Sequence, residues 1–189
     1  MKNTATKLSD EELVSKIVQN NDTHLFAVLY DRYAGLVYNK CYGFSKSKEE
    51  AQDLTHDVFV QLFVKLRMFK GKSKFSTWLY SFTYNFCVNY VQRNSAKKKE
   101  KVTVVTDVIK DDDIDDDIDD ADLLELKSDK LAKALKAIDV EDKMILLMKY
   151  QDDMSIKEIQ EALDLGASAV KMRIKRAKER VINAYNKLV

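Results

Sequence analysis

The absence of proline is the feature that most constrains this chain. Its 189 residues contain no proline and only four glycines, Gly35, Gly43, Gly71 and Gly166. Proline breaks helices because it lacks a backbone N–H, and glycine weakens them through its backbone entropy. Few segments alternate apolar and polar residues as a half-buried strand does. The sequence therefore predicts an all-α fold.

Serine–glutamate pairs mark three of the predicted helix starts. Ser9–Glu12, Ser47–Glu50 and Ser155–Glu158 all have the spacing of a capping box, and Asp139 is predicted to cap a further helix. Apolar residues at spacings of three and four predict four helices in the first half of the chain. The pattern resumes near Leu123, so we expect two small helical domains, residues 1–98 and 125–189.

Residues 99–124 are predicted to be a flexible acidic linker. Between Lys101 and Leu126 the chain has eleven acids and two lysines, a net charge of −9. Because the whole chain carries +1, the remainder carries +10. Repulsion between like charges and the small amount of apolar surface argue against a folded core in this segment. The basic remainder suggests a nucleic-acid partner.

The strongest functional pattern is a short helix, a tight turn and a basic helix between Ser155 and Arg180. This is the spacing of a helix-turn-helix, whose second helix enters the major groove of DNA. That second helix has six cations and one acid, Glu179, in the stretch from Lys171 to Arg180. The alternative is a solvated basic face on a structural helix. A helix-turn-helix alone does not identify the class of regulator.

A second pattern combines a basic loop, Lys70 to Lys74, with an aromatic-rich helix. Cations beside aromatic rings are the mixture that holds single-stranded nucleic acid. Some of the rings belong to the core, and we assign Phe75, Trp78, Phe82 and Phe86 to the buried face of the helix. The expected surface residues of this helix are Tyr80, Tyr84, Asn85 and Asn89.

Several kinds of site are not expected. Cys41 and Cys87 lie in apolar helical patterns and are predicted to be reduced core thiols. The two cysteines and two histidines lack the spacing of a metal site, so no bound metal is predicted. Neither a phosphate-binding glycine loop nor a catalytic triad is recognisable, so no cofactor and no enzymatic activity are predicted. No apolar run approaches the ~20 residues that span a bilayer, so membrane insertion is not expected. With no signal peptide at residues 1–10, we predict a cytoplasmic protein.

Three blocks of the sequence together resemble bacterial RNA polymerase sigma factors. Asp53–Phe59 is similar to their polymerase-binding helix, and Phe69–Leu79 to the loop and helix that open the minus-ten promoter element. Glu158–Ala177 is similar to their reader of the minus-thirty-five element. Asn85 and Arg93 match an asparagine and a basic residue of the family. The order of the blocks and the small size of the chain point to the extracytoplasmic-function group.

The resemblance implies a promoter-specificity factor that binds core RNA polymerase and promoter DNA, both duplex and single-stranded, and catalyses nothing itself. An anti-sigma factor is left open as a further partner. The implied polymerase contacts are Asp53, His56, Asp57 and Phe59. The implied minus-ten contacts are Lys70, Lys72, Ser73, Tyr84, Asn85, Asn89 and Arg93. The implied minus-thirty-five contacts are Ser168, Lys171, Met172 and Arg173 for the bases, and Lys175, Arg176 and Arg180 mainly for the phosphates.

Two other functional classes stay open. A self-sufficient helix-turn-helix regulator would bind duplex DNA tightly without polymerase, usually as a dimer on a palindrome. An adaptor would use the same helices only to bind proteins.

Overall fold

The computed structural model describes residues 7–99 and 128–188, and every regular element in these two stretches is helical, which confirms the all-α prediction. Apart from Lys99, the predicted linker lies outside the described residues, as do residues 125–127 of the second predicted domain. The first stretch contains α1 (Asp10–Asn20), α2 (Thr23–Phe44), α3 (Lys48–Lys65), a 3₁₀ turn (Leu66–Met68) and α4 (Phe75–Lys99). The second contains α5 (Ser128–Ala137), α6 (Val140–Leu146), a π-helical turn (Leu147–Gln151), α7 (Ile156–Leu163) and α8 (Ala167–Lys187).

Two of the three predicted capping boxes form in full. At Ser9 and at Ser155 the serine side chain accepts from the glutamate N–H, and the glutamate side chain accepts from the serine N–H. Ser47 caps α3 in the same way, but the Glu50 carboxylate accepts from the Lys46 N–H and from the Tyr90 hydroxyl. Asp139 precedes α6 as predicted, but its side chain makes no capping hydrogen bond.

The described residues fall into two compact units, divided between Tyr90 and Val91. In the first unit α1 packs on α2 and α2 packs on α3. The core residues of these three helices all follow the predicted spacing except Phe59, and they are Leu13, Val14, Ile17, Leu29, Tyr33, Val37, Cys41, Phe44, Ala51, Leu54, Val58, Phe59 and Leu62. Cys41 and Cys87 are buried free thiols, and the Cys87 thiol donates to the Cys41 sulfur at 3.9 Å.

The buried surface of α4 is wider than a single apolar stripe. Phe75 and Leu79 are buried as predicted, but Trp78, Phe82 and Phe86 are only half-buried. Thr77, Ser81, Thr83 and Tyr84 are buried in addition. Because the buried side chains lie on several sides of the helix, the assignment of one aromatic face to the core was wrong for three of its four rings.

Lys40 explains the burial of Tyr84. This lysine of α2 is only 2% exposed, and its Nζ lies 4.1 Å from the ring centroid of Tyr80 and 5.1 Å from that of Tyr84. A buried cation is costly unless it has partners, and ring faces stabilise an ammonium group. The Tyr84 ring also meets the edge of Phe44, with centroids 5.9 Å apart. Tyr84 is therefore a core residue and not a surface contact.

Helix α8 is the centre of the second unit. It packs against α5, α6 and α7 through Val170, Ile174, Ala177 and Val181, all of which are buried. Ile159 of α7 is completely buried in the same core. The turn between α7 and α8 reverses the chain at Asp164, whose φ is +53°. This left-handed conformation strains a residue that has a Cβ, although aspartate tolerates it better than most.

The strain at Asp164 predicts that Asp164→Gly stabilises the helix-turn-helix. We expect a gain of up to about 1 kcal/mol, since glycine adopts positive φ freely. Slower amide hydrogen exchange in α7 and α8 of the full chain would report it. Glu161→Gly, at an exposed position inside α7, is the control and should cost about 1 kcal/mol. Faster exchange in Asp164→Gly would contradict the strained turn.

Candidate nucleic-acid and polymerase interfaces

The basic half of α8 is divided into a buried face and a solvent face. Its core residues recur at spacings of three and four, which turns the side chains between them outward. Among the predicted contacts, Ser168, Lys171, Met172, Arg173, Arg176 and Arg180 are exposed, and Met172 is 50% exposed. Lys175 is half-buried. The exposed set begins one residue after the start of the helix, where a recognition helix reads base edges.

Arg180 lies further along α8 and has a protein partner. Its Nη1 donates to Oδ2 of Asp142 in α6 at 2.7 Å, and the Asp142 side chain is only 12% exposed. This ion pair ties α8 to α6. Arg180 is therefore a weaker candidate for a phosphate contact than Lys171 and Arg173, which are exposed nearer the start of the helix.

The basic loop of the first unit is closed at its base by aromatic rings. Phe69, just before the loop, meets the rings of Phe75 and Trp78 at centroid distances of 5.4 and 5.6 Å. Between these rings the chain turns at Gly71, whose φ is +67°. The predicted contacts Lys70 and Lys72 are exposed and Ser73 is half-buried. The aromatic contacts therefore hold the two ends of the loop together, and its lysines Lys70 and Lys72 face solvent.

A pocket of about 230 Å³ opens beside this loop. The Trp78 and Phe82 rings in its wall are stacked, with centroids 5.4 Å apart and planes 24° apart. The remaining lining residues are Lys65, Met68, Ser81 and Asn85. A stacked aromatic wall with an amide and a cation beside it has the chemistry that receives an unstacked nucleobase. The sequence patterns missed Lys65 and Met68, and they assigned the two rings entirely to the core.

Three other predicted minus-ten residues lie along one line of α4. Asn85, Asn89 and Arg93 are all exposed and follow each other at intervals of four residues, so they share one helical face. The Asn85 amide also donates to the Ser81 hydroxyl at 3.4 Å. Tyr84 points away from this line and is 0% exposed, so its assignment as a DNA contact was wrong.

The outer face of α3 carries most of the predicted polymerase contacts. Asp53, His56 and Asp57 are exposed. Phe59 is not: it is 3% exposed, and its ring packs 4.4 Å from that of Tyr30. It follows the core residue Val58 directly, which widens the buried stripe of α3. The prediction of Phe59 as a polymerase contact was therefore wrong.

Apolar side chains that were not predicted extend the same outer face. Val60 is 49% exposed and Val64 is 59% exposed. They lie three and seven residues after Asp57, so they continue its face along the helix. Exposed apolar side chains beside acidic ones form a candidate surface for another protein. Val60 lies between the core residues Val58 and Leu62, so the helical spacing itself turns Val60 towards solvent.

Residues 7–99 and 128–188 contain neither a candidate metal site nor a helix that could span a membrane. No group of three or more histidine, cysteine, aspartate or glutamate side chains there could hold a metal ion. None of the helices among those residues is both long and apolar enough to cross a membrane.

Comparison with protein families gives two matches in chain order. Residues 29–97 match sigma-70 region 2, and residues 128–181 match sigma-70 region 4. The chain is 28% identical over 170 residues to the ECF RNA polymerase sigma factor SigW of Bacillus subtilis strain 168, an alignment that covers 87% of this chain and 90% of SigW. It is 33% identical over 75 residues to the RNA polymerase sigma-H factor of Pseudomonas aeruginosa, covering 40% of this chain and 38% of that protein.

Solved structures share the fold. The chain is similar to CnrH in complex with the cytosolic domain of CnrY, with a TM-score of 0.63, 18% identity, and coverage of 95% of this chain and 99% of CnrH. It is also similar to the sigma factor RpoE of Bartonella quintana in complex with the anti-sigma factor NepR, with a TM-score of 0.61 and 14% identity. That match covers 87% of this chain and 98% of RpoE.

The two helical units and the family matches define a transcription initiation factor of the sigma-70 class. Within that class the chain belongs to the extracytoplasmic-function group, whose members direct promoter-specific transcription initiation. Sigma factors regulate initiation and are not catalysts.

The burial of Phe59 gives a test that separates core from surface on α3. Phe59→Ala is expected to lower the free energy of unfolding by about 3–5 kcal/mol, whereas Val60→Ala should change it by less than about 0.5 kcal/mol. Trp78 is the only tryptophan of the chain, so its fluorescence in a urea titration reports the first unit. Equal stability of the two variants would contradict the packing of α3 described above.

Proposed function

We propose that this chain binds core RNA polymerase through α3, reads a minus-thirty-five element with α8, and opens a minus-ten element with the basic loop and α4. The observation that carries the proposal is the presence of two exposed cationic surfaces on two separate helical units of one sigma-70 chain. A single surface would suffice for duplex binding, whereas promoter reading and melting require two.

The solvent face of α8 supports the upstream assignment. Ser168, Lys171, Met172 and Arg173 lie in the first two turns of the helix, where they can reach base edges in the major groove. Arg176 and Lys175 come one turn later and would mainly hold phosphates. Asp142 already holds Arg180, so we expect a smaller contribution to DNA affinity from that residue.

The aromatic pocket supports the minus-ten assignment. Unpairing and unstacking a base costs a few kcal/mol. Stacking of the base on aromatic rings contributes ~1–3 kcal/mol and can offset much of this cost. Lys70 and Lys72 would hold the backbone of the strand while its base enters the pocket beside Asn85. Melting by this route needs neither ATP nor a catalytic residue.

The face of α3 supports the polymerase assignment. Asp53 and Asp57 are one turn apart and exposed, so both can pair with basic side chains of a partner. Val60 and Val64 add apolar area beside them, which gives the contact a component that salt does not screen. His56 lies within the same exposed face.

We also infer an anti-sigma partner and a cytoplasmic site of action. The neighbouring structures support the partner, since RpoE is in complex with an anti-sigma factor and CnrH with the cytosolic domain of CnrY. The cytoplasm follows from the proposed work on core polymerase.

Run-off transcription with purified core polymerase and fragmented DNA of the source organism tests the proposed function. We expect defined transcripts only when the chain and core are both present, and mapping their 5′ ends would give the promoter sequence. Tight duplex binding by the chain alone, with no effect on core, would instead favour a self-sufficient regulator. Capture of core without promoter-specific transcripts would favour an adaptor.

Replacement of both Lys171 and Arg173 by alanine is expected to reduce promoter use at least tenfold while core binding stays at the wild-type level. Each lost base or phosphate contact costs about 1–3 kcal/mol of DNA binding. Lys133→Ala with Lys136→Ala removes the same charge from exposed positions of α5 and should have little effect. Initiation assays on a mapped promoter and core pull-downs give the two readouts. Normal promoter use by the first double variant would show that α8 is not the reader.

Neutralising Asp53 and Asp57 to asparagine tests the α3 face. Exposed ion pairs contribute about 0.2–1 kcal/mol each, so we expect core affinity to fall about two- to thirtyfold for the two lost pairs and to become less sensitive to salt. Asp31→Asn with Glu49→Gln removes two exposed charges elsewhere in the first unit and should leave affinity unchanged. Fluorescence anisotropy with labelled protein measures both pairs. Equal affinities of the two double variants for core polymerase would show that the acidic residues of α3 do not form the polymerase contact.

A further inference from the structure

A side chain of α1 caps the first residue of α4. The Glu11 carboxylate accepts a hydrogen bond from the Phe75 backbone N–H through Oε1 at 3.1 Å, across 64 residues of sequence. The first N–H groups of a helix have no partner within the helix, and a carboxylate there also interacts favourably with the helix dipole. Glu11 lies upstream of the region matched to sigma-70 region 2, which begins at residue 29.

The N-terminal turn of α1 is itself held firmly against α2. Asp10, next to Glu11, accepts hydrogen bonds from Arg32 at 2.6 Å and from the Tyr33 hydroxyl at 2.5 Å. Arg32 also donates to the Leu8 carbonyl at 2.8 Å. Burial and the hydrogen bond to Asp10 raise the pKa of Tyr33 above its ordinary value. The contacts of Leu8 and Asp10 hold the backbone directly before Glu11 against α2.

The same end of α4 is the base of the basic loop. Phe75 is completely buried, and the Tyr33 ring meets it at a centroid distance of 5.6 Å. Phe69 packs on Phe75 from the other end of the loop at 5.4 Å. The residue that Glu11 caps is therefore the one on which both ends of the loop converge.

We propose that Glu11 is a positioning residue for promoter melting: its carboxylate fixes the start of α4 and thereby holds the loop from Lys70 to Lys74 and the adjoining pocket in the geometry that receives an unpaired base. The inference rests on the proposed minus-ten function of that loop. Glu11 touches no DNA in this account and acts through the backbone of Phe75.

The structure separates this role from general support of the fold. The attachment of α1 depends on Leu13, Val14 and Ile17, which are 0–3% exposed, and on the Asp10 network. Loss of the Glu11 carboxylate leaves all of these contacts in place. It removes one cap from α4, an effect comparable to the loss of an N-cap side chain, typically ~1 kcal/mol.

The test compares duplex and pre-opened promoters, using core polymerase with the full chain. Glu11→Ala is expected to form about fivefold fewer open complexes than wild type on duplex DNA, the factor that corresponds to one lost cap. On a template with a mismatched minus-ten bubble, where unpairing is already done, it should match wild type. Glu11→Gln keeps an acceptor oxygen for the Phe75 N–H and should stay near wild type on both templates.

Hydrogen exchange in the free protein provides a readout that does not depend on transcription. Glu11→Ala should speed exchange of amides in the segment 70–78, while Glu11→Gln should not. Glu12→Gln is the matched control because it removes the same charge one residue away. Its amide can still complete the capping box with Ser9, so both readouts should remain at the wild-type level.

Three outcomes would overturn the proposal. They are wild-type open-complex formation by Glu11→Ala on duplex DNA, an equal loss on duplex and bubble templates, and unchanged exchange in segment 70–78. Failure of the minus-ten function itself looks different, because wild-type protein with core would then open no duplex promoter, whichever residue stands at position 11.

Discussion

The packing of α4 through the interior of the first unit is the constraint on which the candidate minus-ten surface depends. Phe75, Leu79, Thr83, Tyr84 and Cys87 are each 0% exposed, so the helix is held on more than one side. This leaves little freedom for the basic loop at its N-terminal end or for the pocket beside it. A base that enters such a pocket meets a surface that is already formed, and the ordering cost of binding is reduced accordingly.

In the second unit one helix serves both the core and the candidate DNA surface. The inward residues of α8 bind it to three other helices, and Lys171, Arg173 and Arg176 between them are exposed. Because both sets alternate along one rigid helix, the position of each cation is set by the packing of its neighbours. Arg180 belongs to the basic stretch of α8, but it pairs with Asp142 of α6 and so also contributes to the packing of the unit.

The sequence patterns predicted the helices, the tight turn between α7 and α8 and the basic outward face of α8, because these features depend on local spacing and capping. They failed where burial depends on partners distant in sequence. Tyr84 is buried because Lys40 and Phe44 of α2 lie against it, and no spacing within α4 reveals that. Phe59 was misassigned because residues at the edge of an apolar stripe face either the core or solvent, depending on the neighbouring helix. The cap from Glu11 joins residues 64 positions apart and has no local signature.

The proposed function requires the two cationic surfaces to engage one promoter at two separate places. Photo-cross-linkers test this requirement when they are attached to Asn85→Cys or Lys171→Cys and the variant is bound to core polymerase on a mapped promoter. The native Cys41 and Cys87 are buried and should escape labelling. We expect the cross-linker at position 85 to mark the non-template strand of the minus-ten element and the one at position 171 to mark the minus-thirty-five element. Cross-links from both positions to the same DNA segment, or none that depend on core polymerase, would contradict the account.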